Sequence, residues 1–476
     1  MHGMDDPVWG VRESEDYTVE VNGESVFCFA SWRCDNVNTT DLYHGVPVSP
    51  ASFAKFSFSG TANVKITPRE GLIREFSKLV VRPTNLDIQP SWDGTSLAFT
   101  LDSPADLLID IQGDGMHPLE LFTNPPEEDI PDPGDPDVIY FGPGIHDIGK
   151  LVLTSNQTLY LHEQAILRPN PPWTGATVVE RGEVFHRGEP MISITDANNV
   201  TIRGRGIITC SRAVEEGTKS PVIRAVRTNR LVVRDILIKD GNAWTIHVYD
   251  SENALIDHVR VLGYQINDDG MCFNGSRDCV ARNCYIHVND DGFEVKAMSS
   301  GLVTENILFE DCFAWNDFAC SMGVTHEVHG TINNVTWKNI RVLRFDPWVH
   351  DNWLLFRGVI FVHAQGGGKV SNLTFQDIHI ESTTSNQPVI LVDNIKELIE
   401  GNNTFPDAPY NRIENIHFRQ ITGTDLTTPT VVIYDESGKG LIRNITLDDV
   451  VLNGILMEKG SPDLKVTNAE RIRFIN

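Results

Sequence analysis

The chain has 476 residues, of which 41% are hydrophobic, and 65 Asp and Glu against 39 Lys and Arg give it a formal net charge of −26. This length and apolar content predict two or more folded domains and exclude a disordered chain. The negative charge argues against nucleic acid and anionic membranes as partners, which need a basic face. The sequence contains no run of roughly 18 apolar residues, so no membrane span is predicted.

Residues 1–122 carry the pattern of an all-β sandwich. Short alternating runs, among them YTVEV, AKFSFSG, NVKIT and DLLIDI, are separated by Gly, Pro, Asn and Asp. Such runs are typical of half-buried strands joined by turns. We therefore predict an N-terminal β-sandwich over residues 1–122. A linker is expected over residues 123–136, because TNPPEEDIPDPGDP is too rich in proline for a helix or a central strand.

Residues 137–476 repeat one short motif. An apolar–x–polar–Asn/Asp–apolar–x–apolar unit recurs at intervals of 23, 25 and 23 residues, and later copies are more widely spaced, as in LVVRDILIKD (231–240), ALIDHVRVLG (254–263), CVARNCYIHV (279–288) and LVTENILFED (302–311). A strand motif at this period predicts a parallel β-helix, because each coil has an apolar face that only the next coil buries. The predicted fold class is all-β, with the N-terminal β-sandwich followed by a right-handed parallel β-helix that forms the catalytic domain.

The eight cysteines show neither CxxC pairs nor zinc spacing. Cys272, Cys284 and Cys312 fall at coil-like intervals, which favours a ladder in the core over disulfides, while the pairing stays open. The start, MHGMDDPVWG, has no apolar signal segment, and Met1–Gly3 resemble a cloning remnant. We therefore expect a secreted, extracellular or periplasmic protein whose signal peptide has been removed.

Two acidic motifs lie one coil apart. Residues 267–270 and residues 289–292 both read NDDG, so Asp269 and Asp291 are 22 residues apart and should stack on neighbouring coils. Coils about 4.8 Å apart with splayed side chains allow carboxyl separations of about 6.5–9.5 Å. That separation is the one in which an inverting glycosidase fits a water molecule, so the spacing indicates a hydrolytic site.

Adjacent Asp290 and Asp291 would point to opposite faces of a regular strand. We therefore expect a bulge or a strand end, where both can face one cleft. Repulsion within the cluster would raise the pKa of one carboxyl, as a general acid requires. A single NDDG would be interpreted as a turn, and a calcium site is the competing functional interpretation. The recurrence at the coil period, with Asp317 a further 26 residues on, favours a catalytic cluster without a metal or other cofactor.

These residues resemble the clan of β-helical glycoside hydrolases that contains polygalacturonases (family 28) and dextranases with isopullulanases (family 49). Asn267 and Asp269 match the polygalacturonase Asn-x-Asp, and Asp290, Asp291 and Lys296 match its Asp-Asp pair with a following Lys. The stretches HVNDD (287–291) and WND (315–317) are similar to dextranase segments. With an N-terminal sandwich, a trait of the dextranase family, the resemblance is taken as closest to family 49; it covers residues 138–380.

Two polygalacturonase motifs are missing. Gly-His-Gly would fall near residues 317–319, which read DFA, and the Arg-Ile-Lys that clamps the uronate carboxylate in that family would fall near residues 360–362, which read IFV. A uronate would lose its charge-assisted partners without these cations. A neutral polysaccharide is therefore expected, most readily an α-glucan such as dextran.

The resemblance implies hydrolysis with inversion. Asp290 would be the general acid, while Asp269 and Asp291 would hold and activate the water. An aromatic insertion at residues 344–357 is expected to wall the cleft. The substrate-binding candidates are Lys296, Asn267, Asn289, Trp315, Asp317 and His326. For Lys296 an external ion pair, and for Trp315 a packing role, are the competing interpretations.

The expected partner is a polysaccharide or oligosaccharide substrate. Three other functions stay open for the same scaffold. The first is a hydrolase of galacturonan, pectin or another decorated glycan. The second is a polysaccharide lyase, which would need a base at the abstraction site and for which the acid-rich cluster is poorly suited. The third is a non-catalytic glycan-binding solenoid, which would tolerate Asp to Asn changes at all three aspartates.

Overall fold

The protein folds as two compact units, Met1–Asp132 and Pro133–Asn476, and the boundary falls inside the segment 123–136. The computed structural model describes residues 11–34, 42–43, 46–170, 178–180, 183–185, 189–210, 220–241, 243–265, 267–347, 357–399, 402–403, 405 and 407–475. Two short 3₁₀ helices occur, Phe76–Lys78 and Thr84–Leu86. Within the described ranges no helix is long and apolar enough to span a membrane.

The first unit contains two β-sheets around one core. Its strands are β1 Tyr17–Val21, β2 Glu24–Val26, β3 Cys28–Cys34, β4 Leu42–Tyr43, β5 Val46–Ser57, β6 Ala62–Pro68, β7 Val80–Arg82, β8 Ser91–Trp92, β9 Leu97–Leu101, β10 Asp106–Asp110 and β11 Leu119–Asn124. One sheet has the order β2-β1-β6-β9-β8, and the other has the order β3-β5-β11-β10-β7 with β4 beside β5. Val64 and Leu97 of the first sheet share a core with Ala54 and Leu121 of the second, which is the predicted β-sandwich.

The second unit begins with the strands β12 Val138–Phe141, β13 Gly144–Ile148, β14 Leu151–Leu153, β15 Thr158–Leu161, β16 Ala165–Pro169, β17 Val178–Glu180, β18 Glu183–Phe185, β19 Ile192–Thr195, β20 Asn198–Gly204, β21 Ile207–Thr209, β22 Ile223–Val226, β23 Asn229–Arg234, β24 Leu237–Gly241, β25 Ile246–Tyr249, β26 Leu255–Asp257, β27 Arg260–Gly263 and β28 Met271–Asn274. It continues with β29 Arg277–Arg282, β30 Tyr285–Val288, β31 Phe293–Ala297, β32 Val303–Asn316, β33 Met322–Val328, β34 Thr331–Phe345, β35 Ile360–His363, β36 Lys369–Ile380, β37 Ile390–Asp393, β38 Glu397–Ile399, β39 Asn402–Asn403, β40 Arg412–Gly423, β41 Val431–Tyr434, β42 Ile442–Leu452, β43 Ile455–Leu456, β44 Leu464–Thr467 and β45 Glu470–Ile475.

Apart from the antiparallel pairs β17-β18 and β38-β39, these strands stack into two long sheets whose successive coils pair in parallel. The first sheet has 19 strands, from β12 to β45, and it takes two strands or one long bent strand from each coil. The second sheet has 11 strands in the order β14-β19-β22-β25-β28-β31-β33-β35-β37-β41-β44, and we call it the site sheet. The predicted β-sandwich followed by a parallel β-helix is therefore confirmed.

The asparagine of the repeat motif forms a ladder along one turn of the coils. Asn306, Asn334, Asn372, Asn415 and Asn444 all adopt left-handed backbone conformations, with φ between 52° and 60°. Asn tolerates this region better than most residues, because its short side chain hydrogen-bonds locally. The Nδ2 of Asn334 donates to the Oδ1 of Asn306 at 2.7 Å, and Asn444 donates in the same way to Asn415 at 3.0 Å.

Aromatic rings stack through the interior of the same coils. Phe309, Trp337, Phe375 and Phe418 lie on successive coils, with ring centroids 5.6, 4.5 and 5.2 Å apart and nearly parallel planes. The indole N–H of Trp337 donates to the backbone oxygen of Phe293 at 3.0 Å, which satisfies its polar atom inside the core. Similar side chains of successive coils are thus buried against one another, and this explains why the motif repeats.

All eight cysteines are buried. Cys284 and Cys312 are neighbours in the core, and the backbone N–H of Cys284 points to the sulfur of Cys312 at 3.4 Å. The predicted core ladder is wrong for Cys272. Cys272 faces outward on the site sheet, where it pairs in register with Glu294.

The outer face of the site sheet carries one row of side chains from coil to coil. Because side chains alternate along a strand, Ile246 and Val248 enter the core while His247 and Tyr249 face outward. The row runs in register through Arg224, His247, Cys272, Glu294, Gly323 and Phe361. The acidic motifs lie at the beginning of strands in the middle of this row.

Candidate active site

Asp290 and Asp291 lie in a turn between two strands. Strand β30 ends at Val288 and strand β31 begins at Phe293. The alternation of a regular strand therefore does not apply to the two aspartates, and the expected strand end is confirmed. Both side chains can reach the same side of the coil.

Asp268 holds this turn in place from the preceding coil. One of its oxygens accepts the backbone N–H groups of Asn289 and Asp290, each at 3.0 Å, and the other accepts the N–H of Gln265 at 2.9 Å. The side chain is fully buried, and this burial raises the pKa of its carboxyl. The first acid of one NDDG motif is therefore structural, whereas the first acid of the other belongs to the site.

Three carboxylates meet beside the turn. Asp269, Asp291 and Glu294 each offer an oxygen, and these three oxygens lie within 4.8 Å of one another. Exposure of the three side chains is 2% or less. The spacing predicted for Asp269 and Asp291, about 6.5–9.5 Å, is wrong for their nearest oxygens, because both side chains lean into the same space. One water molecule can bridge oxygens at the observed distance.

Lys296 neutralises part of this charge. Its ammonium lies 3.0 Å from Glu294, 3.0 Å from Glu327 and 3.8 Å from Asp291. Lys296 also donates to the backbone oxygen and the hydroxyl of Thr325, at 3.1 and 2.9 Å. Burial lowers its pKa, but the surrounding carboxylates outweigh this and hold the pKa well above its usual value. The predicted Lys296 thus belongs to the cluster, and an external ion pair is excluded.

The cluster carries strongly shifted acidities. Burial, followed by the charge of Glu294, raises the pKa of Asp269 well above its usual value. Burial, followed by the charge of Asp290, raises the pKa of Asp291 from 3.8 to about 7, although Lys296 and Arg357 oppose this rise. Shifts of this kind are typical of residues that exchange protons during catalysis.

Asp290 is the most exposed acid of the group, at 8%. Asn267 donates to its carboxylate through the backbone N–H at 2.9 Å and through Nδ2 at 3.4 Å. Asn316 on the next coil donates to the backbone oxygen of Asp290. Asn267, predicted to bind substrate, thus donates two hydrogen bonds to the carboxylate of Asp290.

Arg357 adds a second cation that sequence inspection did not identify. Its guanidinium lies 4.0 Å from the centre of the Phe318 ring, and its positive charge acts on Asp291 and on His326. Arg357 is only 7% exposed. It is the last residue of the insertion 344–357, of which residues 348–356, with Trp348 and Trp353, lie outside the described residues. The Gly-His-Gly and Arg-Ile-Lys motifs are absent as the sequence indicated, and Arg357 is a cation from another position of the chain.

The structure places the other predicted substrate-binding residues in different surroundings. Trp315 is fully buried and stacks on His287 at 3.8 Å, so it packs in the wall instead of presenting a ring to a sugar. Asp317 is also buried. Its carboxylate lies 3.1 Å from the Nε2 of His287 and so already has a partner. A direct contact of Trp315 or Asp317 with substrate stays a prediction, since both side chains are buried against His287. Asn289 is buried with its backbone bound to Asp268.

His326 lies on the site sheet one coil beyond Lys296. Its ring is 5.1 Å from that of His363 and 6.0 Å from that of Phe361, and His363 in turn bonds to Asp393. Burial lowers the pKa of His326 well below its usual value, and the charges of His363, Lys296 and Arg357 add to the effect. The Nδ1 of His326 is buried and has no hydrogen-bond partner among the described residues.

A metal ion is geometrically conceivable at Asp269, Asp291 and Glu294. Hard oxygen ligands suit calcium or magnesium. The ammonium of Lys296, however, already contacts two of the three carboxylates, so it supplies the positive charge that an ion would bring. These residues fit a proton-transfer site better than a metal site.

Two members of the site were missed by sequence inspection. Glu294 could have been found, because it alternates with Lys296 on the outward side of β31, three residues after Asp291. Arg357 has no such signal, since its coil position depends on an insertion of irregular length.

A family model described as Glycosyl hydrolases family 28 matches residues 186–471, well over half of the chain and all of the acidic cluster. An Aspergillus flavus protein named as a galacturan 1,4-alpha-galacturonidase A is 23% identical over 44% of this chain and 52% of its own length. An Emericella nidulans protein named as an exopolygalacturonase B is 24% identical over 48% of this chain and 51% of its own. The chain thus matches about half the length of these curated relatives.

Solved structures agree on the fold. Dex49A from Penicillium minioluteum superposes with a TM-score of 0.62 at 13% identity, over 98% of this chain and 95% of its own. A hyperthermoactive exopolygalacturonase from Thermotoga maritima has a TM-score of 0.50 at 16% identity, over 67% of this chain and 84% of its own. The predicted clan is confirmed, whereas the expected placement closest to family 49 agrees only with the fold comparison.

Proposed function

The chain belongs to glycosyl hydrolase family 28, and from this membership we propose that it hydrolyses the α-1,4 bonds of a galacturonan. The names of both curated relatives support this substrate over the neutral α-glucan expected from the missing motifs. A substrate of this kind fits a secreted or periplasmic location, which stays a prediction.

The observation that carries the proposal is the buried guanidinium of Arg357. Its charge acts on Asp291, and its guanidinium stacks on Phe318, which fixes the direction of the side chain. A planar guanidinium is the side chain best suited to bind a carboxylate with two parallel hydrogen bonds. It therefore supplies a partner for a uronate group where the Arg-Ile-Lys motif is missing.

The proposed reaction is the inverting hydrolysis that the family membership implies. Protonated Asp290 gives its proton to the glycosidic oxygen as the bond from this oxygen to the anomeric carbon breaks. A water held between Asp269 and Asp291 attacks the anomeric carbon from the opposite face, its hydroxyl joins the carbon, and its proton passes to an aspartate. Exchange with solvent restores both acids, and the configuration is inverted.

Reducing-end assays on polygalacturonate, dextran and pullulan test the substrate. We expect turnover of polygalacturonate, with the new end formed as the β-anomer in proton NMR recorded during the first minutes. An absorbance rise at 235 nm would instead indicate a lyase. Turnover of dextran alone would overturn the galacturonan proposal.

Two substitutions test the residues. Asp290→Asn should lower kcat by at least about 100-fold while oligogalacturonide binding persists, because it removes only the proton donor. Arg357→Gln should lower kcat/KM on polygalacturonate by about 10- to 100-fold, the worth of a charge-assisted hydrogen bond. A solenoid that only binds glycan would show no turnover even in the wild type. Its glycan binding would be unchanged by Asp290→Asn.

A neutral α-glucan is the second candidate. The position expected for the uronate clamp holds Ile360, Phe361 and Val362, of which Phe361 faces outward beside His326. These three apolar side chains offer no cation to a uronate, while Phe361 itself is only 1% exposed and packs with Cys320 and Leu391. Activity of Arg357→Gln equal to wild type on dextran, with none on polygalacturonate in either protein, would favour this candidate.

A further inference from the structure

We propose that Glu294 is a positioning residue that makes the two water-holding aspartates unequal: Asp269 stays neutral and Asp291 is the carboxylate that accepts the proton of the attacking water. The inference deepens the hydrolytic role proposed above and rests on it. Neither the family match nor the acidic motifs distinguish between the two aspartates.

The first step is the position of Glu294. It occupies the outward row of the site sheet directly beside Cys272, and it is completely buried. Its Oε2 is bound by Lys296 and by the hydroxyl of Thr325. Its Oε1 is also buried and has no hydrogen-bond partner among the described residues, as is true of the Oδ1 of Asp269. Each of these two neighbouring carboxylates thus keeps one buried oxygen without a hydrogen-bond partner among the described residues.

The second step is the asymmetry of the positive charge. Lys296 contacts Asp291 at 3.8 Å and Glu294 at 3.0 Å, and its interaction with Asp269 is weaker than with either. Arg357 also acts on Asp291. Both cations therefore favour the ionised form of Asp291, while among the charges that act on Asp269 that of Glu294 has the largest effect.

The third step is the cost of burying charge. Three adjacent carboxylates with one ammonium cannot all be ionised in an enclosed site without a large free-energy penalty. One proton must stay in the cluster, and the charge distribution places it on Asp269. The pKa directions agree, because that of Asp269 is raised well above its usual range while that of Asp291 reaches about 7.

The chemistry then divides between the two side chains. Ionised Asp291 accepts the proton of the water as the oxygen bonds to the anomeric carbon. Neutral Asp269 accepts a hydrogen bond from the other O–H of the water through its carbonyl oxygen. The titratable and charged groups that surround this pair are Glu294, Asp290, Lys296, Glu327, Arg357, Cys272 and Cys320.

Kinetics of three variants test the division on the substrate that the wild type cleaves. Asp269→Asn mimics a neutral carboxyl and should keep at least 100-fold more activity than Asp291→Asn, which removes the base. Glu294→Gln should move the acid limb of the kcat/KM profile to lower pH by about one unit, with kcat on the plateau within about tenfold of wild type. Equal losses in both asparagine variants, with an unmoved acid limb, would overturn the proposal.

Infrared spectroscopy tests the same point without substrate. At pH 8, Asp269→Asn should remove one carboxyl from the band of protonated carboxylic acids, while Asp291→Asn should leave it unchanged, and Glu294→Gln should let it titrate at lower pH. Loss of the band in Asp291→Asn alone would refute the assignment. Glu305→Gln, a partly buried glutamate that accepts from Asn333 on the other sheet, is the matched control for folding and for the band.

These readouts separate the two hypotheses. If the wild type cleaves none of the glycans, the proposed function fails, and the infrared band still decides where the proton lies. If the wild type is active but the band follows Asp291, the inference fails and the proposed function stands.

Discussion

Replacing Asp291 with asparagine should stabilise the protein at neutral and alkaline pH. Burial raises the pKa of this carboxyl from 3.8 to about 7, so the folded protein binds the proton more tightly than the unfolded chain does. The free energy of unfolding of the wild type should therefore fall as pH rises from about 3.8 to about 7. One pKa unit corresponds to about 1.4 kcal/mol, which gives a loss of at most about 4 kcal/mol.

Asp291→Asn does not titrate at this position, so its advantage over wild type should grow through the same window and level off above pH 7. For a unit of this size the full effect corresponds to a shift in Tm of about 5 °C. The measurement is thermal and urea unfolding of both proteins between pH 4 and pH 9. Asp278→Asn is the control, because Asp278 is exposed and asparagine keeps the oxygen that accepts from Asn306. Parallel stability curves for wild type and Asp291→Asn would refute the reasoning.

Three further changes test the scaffold by urea unfolding. Asp268→Ala leaves three buried backbone N–H groups without their acceptor, so a loss of about 3 kcal/mol or more is expected together with loss of activity; unchanged activity would contradict its role in holding the turn. Trp337→Ala should cost about 3–5 kcal/mol and Trp337→Phe clearly less, and equal losses would contradict ring stacking as the main contribution. Asn334→Ala should lower the free energy of unfolding by about 1–2 kcal/mol, whereas Asn334→Gly should recover part of this loss because glycine accepts the left-handed backbone. If Asn334→Gly is no more stable than Asn334→Ala, the loss comes from the ladder hydrogen bonds alone.

Much of the fold was predictable because it is encoded locally. Each coil repeats its own pattern of β-branched residues and asparagine, and the stacking of coils brings residues one period apart into contact. Asp269 and Asp291 therefore came together as expected, and Asp290 joined them because the chain turns at the end of β30. The family clan followed from the same motifs.

Side-chain direction and insertions were not predictable in this way. Trp315 and Asp317 lie at the right coil positions, but their contacts with His287 turn them into packing residues. Arg357 enters the site after an insertion whose length has no period, so its charge beside Asp291 was hidden in the sequence. The expected neutral substrate depended on that missing cation.

The sequence by itself determined that the chain is a β-sandwich followed by a β-helix and that three aspartates share one cluster, because both follow from a short repeat. Only the tertiary structure decided which charges surround those aspartates. Glu294, Lys296 and Arg357 act on them through space, and the acidity of a buried carboxyl depends on such neighbours and on the exclusion of water more than on the residues beside it in the chain.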